Sequence, residues 1–257
     1  MARQLADGVW LLDLGLVPPL ATNAYLVDDA LAAPADGDGA AESDGAEPGS
    51  DEADRTDGEV TLIDTGLFWN RASLPAELAA AGYAVADVDR VLLTHYDLDH
   101  TGGLSRIADD LDAPVYLGSA DLRLVEGRDQ PNAFHHKGLF HRIARRIAPL
   151  PAGLDVRGVD DGDRIGRFTA YHTPGHNPGH TAFVHDSGVA FLGDLVWEED
   201  GEFTPPFWLD SYDMHELRES IRWFVAQDPH FEVACFGHGT PITSGGSEAL
   251  QRLADRL

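Results

Sequence analysis

Residues 92–103 read LLTHYDLDHTGG. The stretch 88–94, VDRVLLT, reads as a buried strand through its run Val91-Leu92-Leu93, and it leads straight into His95. Within six positions the chain then offers His95, Asp97, Asp99 and His100, in the pattern H-x-D-x-D-H. A tight loop at a strand end can aim alternate side chains at one point and the following pair at another. Three further segments also follow apolar runs directly: Thr173-Pro174-Gly175-His176, Leu192-Gly193-Asp194 and Phe236-Gly237-His238-Gly239. Strand ends are where side chains converge in α/β proteins. Together these segments supply four imidazoles and three carboxylates, a donor set suited to zinc, iron or manganese.

Working outward, strands are expected at 9–14, 23–27 and 60–64, the last ending in Thr65-Gly66. A helix is expected from Leu74 to a stop at Gly82, followed by a helix over 104–111, a strand over 114–117 and a helix over 119–126. Residues 127–150 show weak strand character. Their basic residues Arg142, Arg145 and Arg146 read as a solvated face. Strands follow over 164–173, 181–185 and 189–192, then an amphipathic helix over 213–227, a strand over 233–236 and a final helix over 248–257. This alternation over 257 residues suits one large α/β domain or two small ones. Between two strands lies 28–59, with twelve acids, one arginine and no aromatic residue. Such a stretch cannot bury enough surface to offset its ordering entropy, so a disordered insertion is expected at about 29–58.

Acids outnumber bases 44 to 18 over 257 residues, a formal charge of −26. That field disfavours nucleic acid and anionic membranes as partners. Lys137 is the only lysine; every other basic residue is arginine. An acidic, lysine-poor surface suits a halophilic protein of haloarchaeal type, because molar salt cuts the Debye length to about 3 Å. A single cysteine, Cys235, excludes a disulfide framework and a cysteine zinc site. Neither a signal peptide nor a membrane span is expected, so the location reads as cytoplasmic. The oligomeric state is left open.

With NAYLV (23–27), LIDTG (62–66), LLTHYDLDHTGG (92–103), HTPGHNPGH (172–180), FLGD (191–194) and FGHG (236–239), the chain resembles the metallo-β-lactamase fold superfamily, in its broad hydrolase branch. The resemblance implies a single domain over 1–257 with an α/β fold, the four-layer αβ/βα sandwich with the active site at one edge of two facing sheets. It also implies two divalent metal ions, zinc foremost. His95 and His176 would bind the first, Asp99, His100 and His238 the second, and Asp194 would bridge them. Asp64 and His180 would orient ligands from behind. The core is similar to glyoxalase II, and no counterpart of that enzyme's substrate-binding C-terminal region is expected.

One position departs from the family. The usual motif is H-x-H-x-D-H, and Asp97 stands where the second histidine belongs. A carboxylate is a harder donor than imidazole. It favours iron or manganese at the first site, as the acidic residue of the flavodiiron family does, or leaves that site weakly occupied.

The implied activity is hydrolysis of a small-molecule ester, thioester or lactone by metal-activated water, with Asp99 holding the nucleophile and passing a proton to the leaving group. Trp69, His135, His136, Trp197, Trp208 and Tyr212 are expected to rim the substrate pocket. Two other classes stay open. His95, His176 and Asp194 alone would suit a mononuclear iron oxidoreductase similar to the persulfide dioxygenases. A non-catalytic metal-binding module would fully ligate its ions.

Overall fold

The computed structural model of the chain describes residues 2–15, 22–33, 58–70, 73–130, 132 and 134–257. Three strands form an antiparallel meander: β1 (Arg3–Ala6), β2 (Val9–Asp13) and β3 (Asn23–Asp28). β4 (Val60–Ile63) pairs antiparallel with β3. Helix α1 (Leu74–Ala81) follows. It opens with the Ser73 hydroxyl accepting the Ala76 N–H and closes at Gly82, whose φ of 96° is the left-handed turn that glycine adopts freely. The chain continues through β5 (Arg90–Leu93), the short helices α2 (Leu98–Thr101) and α3 (Leu104–Ile107), β6 (Val115–Gly118), α4 (Ser119–Val125), α5 (His136–Ile147) and β7 (Val156–Val159). The first sheet has the order β1-β2-β3-β4-β5-β6-β7 and is parallel from β4 to β7.

The second sheet is built from β8 (Arg164–Ile165), β9 (Phe168–His172), β10 (Thr181–His185) and β11 (Val189–Gly193). After these come the ribbon β12 (Trp197–Glu199) and β13 (Glu202–Thr204), helix α6 (Met214–Ala226), β14 (Val233–Phe236) and helix α7 (Gly246–Ala254). Its strand order is β14-β11-β10-β9-β8, with β14 parallel to β11.

Side chains alternating with period two assign the layers. Tyr25, Val27, Ile63 and Leu92 of the first sheet meet Phe168, Phe183, Phe191 and Cys235 of the second, forming the core between the sheets. Ala24, Leu26, Leu62, Val91 and Leu93 point the other way, against Leu74 and Leu78 of α1 and Leu104 and Ile107 of α3. On the far side Ala182, Ala190, Leu192 and Ala234 pack on Leu217, Ile221 and Phe224 of α6 and Leu250 and Leu253 of α7. The result is the expected helix–sheet–sheet–helix sandwich.

Several elements differ from expectation. The weak strand character at 127–150 resolves into helix α5. Its buried face carries Lys137, Gly138, His141 and Ala144, while Leu139, Phe140, Ile143 and Ile147 are exposed. Its apolar periodicity points outward, the reverse of the usual signal. β1 and β7 border the first sheet without a long apolar run to announce them. The helix expected over 104–111 is shorter, ending at Ile107. Most of the acidic insertion, 34–57, lies outside the described residues. Of its opening residues 29–33, Asp29 is buried against His185 Nε2 at 2.9 Å and Ala32 joins the inter-sheet core, while the other three are exposed.

Candidate metal centre

Four loops, each at the end of a strand, reach one edge of the sandwich. After β5, Thr94 places its Oγ1 3.0 Å from His95 Nδ1, so His95 presents Nε2 forward. Asp64, just past β4, accepts from the Thr94 N–H, from Thr94 Oγ1 and from His100 Nδ1, each at 2.8 Å. The last bond fixes the His100 tautomer and leaves its Nε2 facing the centre. Helix α2 continues through Gly102-Gly103. A Cβ on Gly103 would lie 1.9 Å from the Thr65 carbonyl oxygen, so only glycine lets this turn seat against the LIDTG loop. From the second sheet, β9 leads to His176, β11 to Asp194 and β14 to His238. Gly237 passes so close that a Cβ there would sit 2.2 Å from Asp194 Oδ1. His180 accepts the Asp194 N–H on Nε2 at 3.1 Å and meets Thr173 Oγ1 through Nδ1, so it braces Asp194 from behind.

The donors converge. His95, His100 and Asp194 form one group of potential ligand atoms within 4.8 Å of one another; Asp99, His100 and His238 form a second, and His95, Asp97 and His176 a third. His238 Nε2 lies 3.2 Å from Asp99 Oδ2 and 3.3 Å from Asp194 Oδ2. Three of the inward atoms are buried with no hydrogen-bond partner: His95 Nε2, His100 Nε2 and Asp194 Oδ1. Buried polar atoms are ordinarily paired, so three orphans converging on one space are what a cation would satisfy. The residues therefore fit a metal ion.

The electrostatics agree. Burial, then neighbouring His100, holds His95 well below the usual imidazole pKa, keeping it in the neutral form that ligates. Burial also opposes the charged form of His100, but the carboxylates of Asp64, Asp99 and Asp194 outweigh it and push His100 up to about 9. Burial works against ionised Asp194 too, yet His238, His100 and His176 hold its carboxyl well below the usual range. The site draws positive charge to itself.

Asp97 is engaged differently from the other acids. Its Oδ1 accepts from His141 Nε2 at 2.5 Å and Asn177 Nδ2 at 3.2 Å, and its Oδ2 lies 2.9 Å from Lys137 Nζ. His141 is set in turn by the Tyr212 hydroxyl, 2.9 Å from its Nδ1. Sequence reasoning missed Lys137, His141 and Asn177. The spacing of Lys137 and His141, i and i+4 on a helix, was the available signal, hidden because that helix went unrecognised. Asp121 was missed as well. It is buried, and accepts from the Tyr96 and Gly179 backbone N–H groups at 2.8 and 2.7 Å, tying the two histidine loops together.

A cleft of about 670 Å³ opens over the centre, lined by Leu67, Trp69, Phe140, Trp197, Phe207 and Leu209, with Asp97, Asp99, Asp210 and His238 at its floor. Of the expected rim, Trp69 and Trp197 line it. His135, His136, Trp208 and Tyr212 are not among its lining residues. Tyr212 stacks on His135 with ring centroids 5.1 Å apart, and His136 meets Trp208 edge-on, so these rings pack with one another beside α5.

A sandwich of this layering, with histidine and aspartate donors gathered at one edge, defines a class of metal-binding α/β proteins. The model of the Metallo-beta-lactamase superfamily matches residues 54–238, and the chain belongs to that superfamily. It is 28% identical over 188 residues to the probable metallo-hydrolase YybB of Bacillus subtilis, covering 72% of this chain and 77% of that protein. It is 32% identical over 224 residues to the human metallo-beta-lactamase domain-containing protein 1, covering 81% and 71%. Among solved structures, TTHA1623 in a di-iron-bound form matches with a TM-score of 0.61 at 26% identity, covering 95% of this chain and 98% of that one. A metallo-beta-lactamase family protein of Thermus thermophilus, TTHA1429, matches with a TM-score of 0.66 at 24% identity, covering 98% and 80%. Among the described residues no helix is long and apolar enough to cross a membrane.

Proposed function

We propose that the protein is a metal-dependent hydrolase acting on a small apolar ester, thioester or lactone. The observation that carries this reading is the convergence of His95 Nε2, His100 Nε2 and Asp194 Oδ1, buried and unpartnered, at the foot of an apolar cleft. The relatives named probable metallo-hydrolases support the reaction class. Asp99, His100, Asp194 and His238, with His95 facing them, would hold a divalent ion, zinc or iron by their chemistry. A bound ion supplies Lewis acidity and acidifies water from 15.7 toward about 7.

The chain's own groups do the rest. Asp99 stands at the cleft floor, 29% exposed, with Oδ2 3.2 Å from His238 Nε2. Burial raises its pKa, but His100 and His238 outweigh that and leave it below the ordinary value, so it is an ionised acceptor at neutral pH. It can take a proton from attacking water and return it to the leaving group. Trp69, Trp197 and Phe207 shield the reacting carbonyl from bulk water and favour an apolar acyl or alkyl portion. The test is a panel of esters, thioesters and lactones run in molar KCl, with metal content measured beside it. Turnover abolished by chelator and restored by added metal is expected. Metal-free protein with turnover that survives EDTA would overturn the assignment.

A further inference from the structure

The only lysine in the chain is buried at this centre. Lys137 is 4% exposed, and Nζ lies 2.8 Å from His176 Nε2, 2.9 Å from Asp97 Oδ2 and 2.6 Å from the Asp210 carbonyl oxygen. An ammonium has three donors, and these three partners use them all. His176 and Asp97 are two of the three donors of the group His95, Asp97 and His176, where the superfamily pattern would seat a first ion. Resting on the hydrolase reading, we propose that the Lys137 ammonium takes the place of that first cation. The centre then accepts a single divalent ion, held by Asp99, His100, Asp194 and His238, with His95 facing it.

Three features argue for this arrangement. Both Asp97 oxygens are already spent on side chains, Oδ1 on His141 and Asn177 and Oδ2 on Lys137. The three orphaned inward atoms are His95 Nε2, His100 Nε2 and Asp194 Oδ1, whose residues form one group, whereas His176 Nε2, on the side of Asp97, has a partner in Lys137. The residue types also match. A buried ammonium requires a paired carboxylate, which Asp97 supplies and the superfamily's histidine would not. A lysine is a compact charge on a flexible stem, as a stand-in for a single cation among three acceptors requires. The exchange of histidine for Asp97 and the lone buried lysine are then one adaptation. This placement also gives His176 Nε2 to Lys137, which removes it from the His95, His176 and Asp194 set of a mononuclear oxidoreductase.

The experiment strips the full-length protein with chelator, reloads it with excess Zn²⁺, desalts it and counts ions per chain by mass spectrometry. Anomalous diffraction then locates them. One ion per chain is expected, bound to Asp99, His100, Asp194 and His238, with Lys137 Nζ still on Asp97. Lys137→Met keeps the stem and removes the charge, and is expected to take up a second ion between His95, Asp97 and His176. Two ions in the wild type, or an ion on Asp97 with Lys137 displaced, overturn the inference and leave the hydrolase reading intact. No bound ion overturns both. A folded Lys137→Met protein that still holds one ion overturns the role given to the lysine. If that variant does not fold, the wild-type count and ion position decide the question.

Discussion

Replacing Asp64 with asparagine tests how the centre is built from behind. The side chain is isosteric, and asparagine tolerates the φ of 54° that Asp64 adopts, so the backbone is not asked to move. Asp64 accepts three hydrogen bonds, all at 2.8 Å: the Thr94 N–H on Oδ1, and Thr94 Oγ1 and His100 Nδ1 on Oδ2. With asparagine the remaining oxygen keeps the Thr94 N–H, and an NH₂ group now faces His100 Nδ1. To accept from it, His100 must move its proton to Nε2, the atom that faces the centre and would bind an ion. Loss of such an orienting partner costs about 10- to 100-fold in metal affinity, which is about 1.4–2.7 kcal/mol at 1.36 kcal/mol per decade. The assay is a competitive Zn²⁺ titration of chelator-stripped protein against a chromophoric chelator, with far-UV circular dichroism confirming the fold. An affinity within about twofold of wild type in a folded variant would refute the claim that Asp64 sets the His100 tautomer.

Other expectations follow from single contacts. Asn23 Nδ2 donates to the Phe236 and Gly239 carbonyl oxygens at 3.1 and 2.9 Å, bracketing the loop that carries His238. Asn23→Ala is expected to cost about 1–3 kcal/mol in urea unfolding and to weaken metal binding, the Gly239 carbonyl having lost this partner. Asp213 caps α6 by accepting the His215 and Glu216 N–H groups, and those bonds hold its carboxyl below the usual range. A depressed carboxyl pKa stabilises the fold above the unfolded value of about 3.9 and loses that contribution as pH falls through the folded value. Asp213→Asn, still a cap but without charge, is therefore expected to lose about 0.3–1 kcal/mol near pH 7, with the deficit shrinking as pH falls below about 4; a deficit constant with pH would refute the charge term. With a net charge of −26, the thermal midpoint is expected to rise between about 0.1 M and molar KCl, as screening tightens from about 10 to 3 Å. A midpoint indifferent to KCl would remove the halophilic reading.

The strand-end segments were legible because they couple two signals in a few residues: an apolar run that must be buried, and donors placed where that run stops. His95, Asp99, His100, His176, Asp194 and His238 all carry both. Helix α5 carried neither. Its inward residues Lys137 and His141 are polar and its apolar residues face solvent, so hydrophobic periodicity reports the wrong side. The same gap reached Asp97: without the helix, its neighbours Lys137 and His141 were invisible. The cleft wall suffered similarly. Phe140 lines it from α5 and Leu209 from a short turn, while the aromatic residues chosen by their nearness to the motifs include four that pack on one another. Nearness in sequence does not say which side of a loop faces a cavity.

The way the loops are held explains why the centre depends on residues far from it in the chain. The donor loops carry backbone bonds of their own, such as the His100 N–H to the Asp97 carbonyl and the His180 N–H to the Asn177 carbonyl, but each is also fastened by a group from another element. Thr65 donates both its N–H and its hydroxyl to the His100 carbonyl at 2.7 and 2.8 Å. Asp121 on α4 joins the turn at Tyr96 to the turn at Gly179, and the Thr181 N–H reaches across the sandwich to the Thr94 carbonyl at 2.8 Å. Tyr25 and Asn23 on β3 of the first sheet hold the loop after β14 of the second, with the Tyr25 hydroxyl 2.7 Å from the Phe236 carbonyl. The fasteners are buried, and apart from the Thr65–His100 bonds, which stay within the first sheet's edge, they join the two halves of the sandwich and so form only when the two sheets pack. Donors held this way are preorganised before any ion arrives, and the cost of gathering like charges at one edge is met by folding rather than by binding. This arrangement lets three donor atoms remain buried without partners, and it ties the integrity of the site to the inter-sheet core.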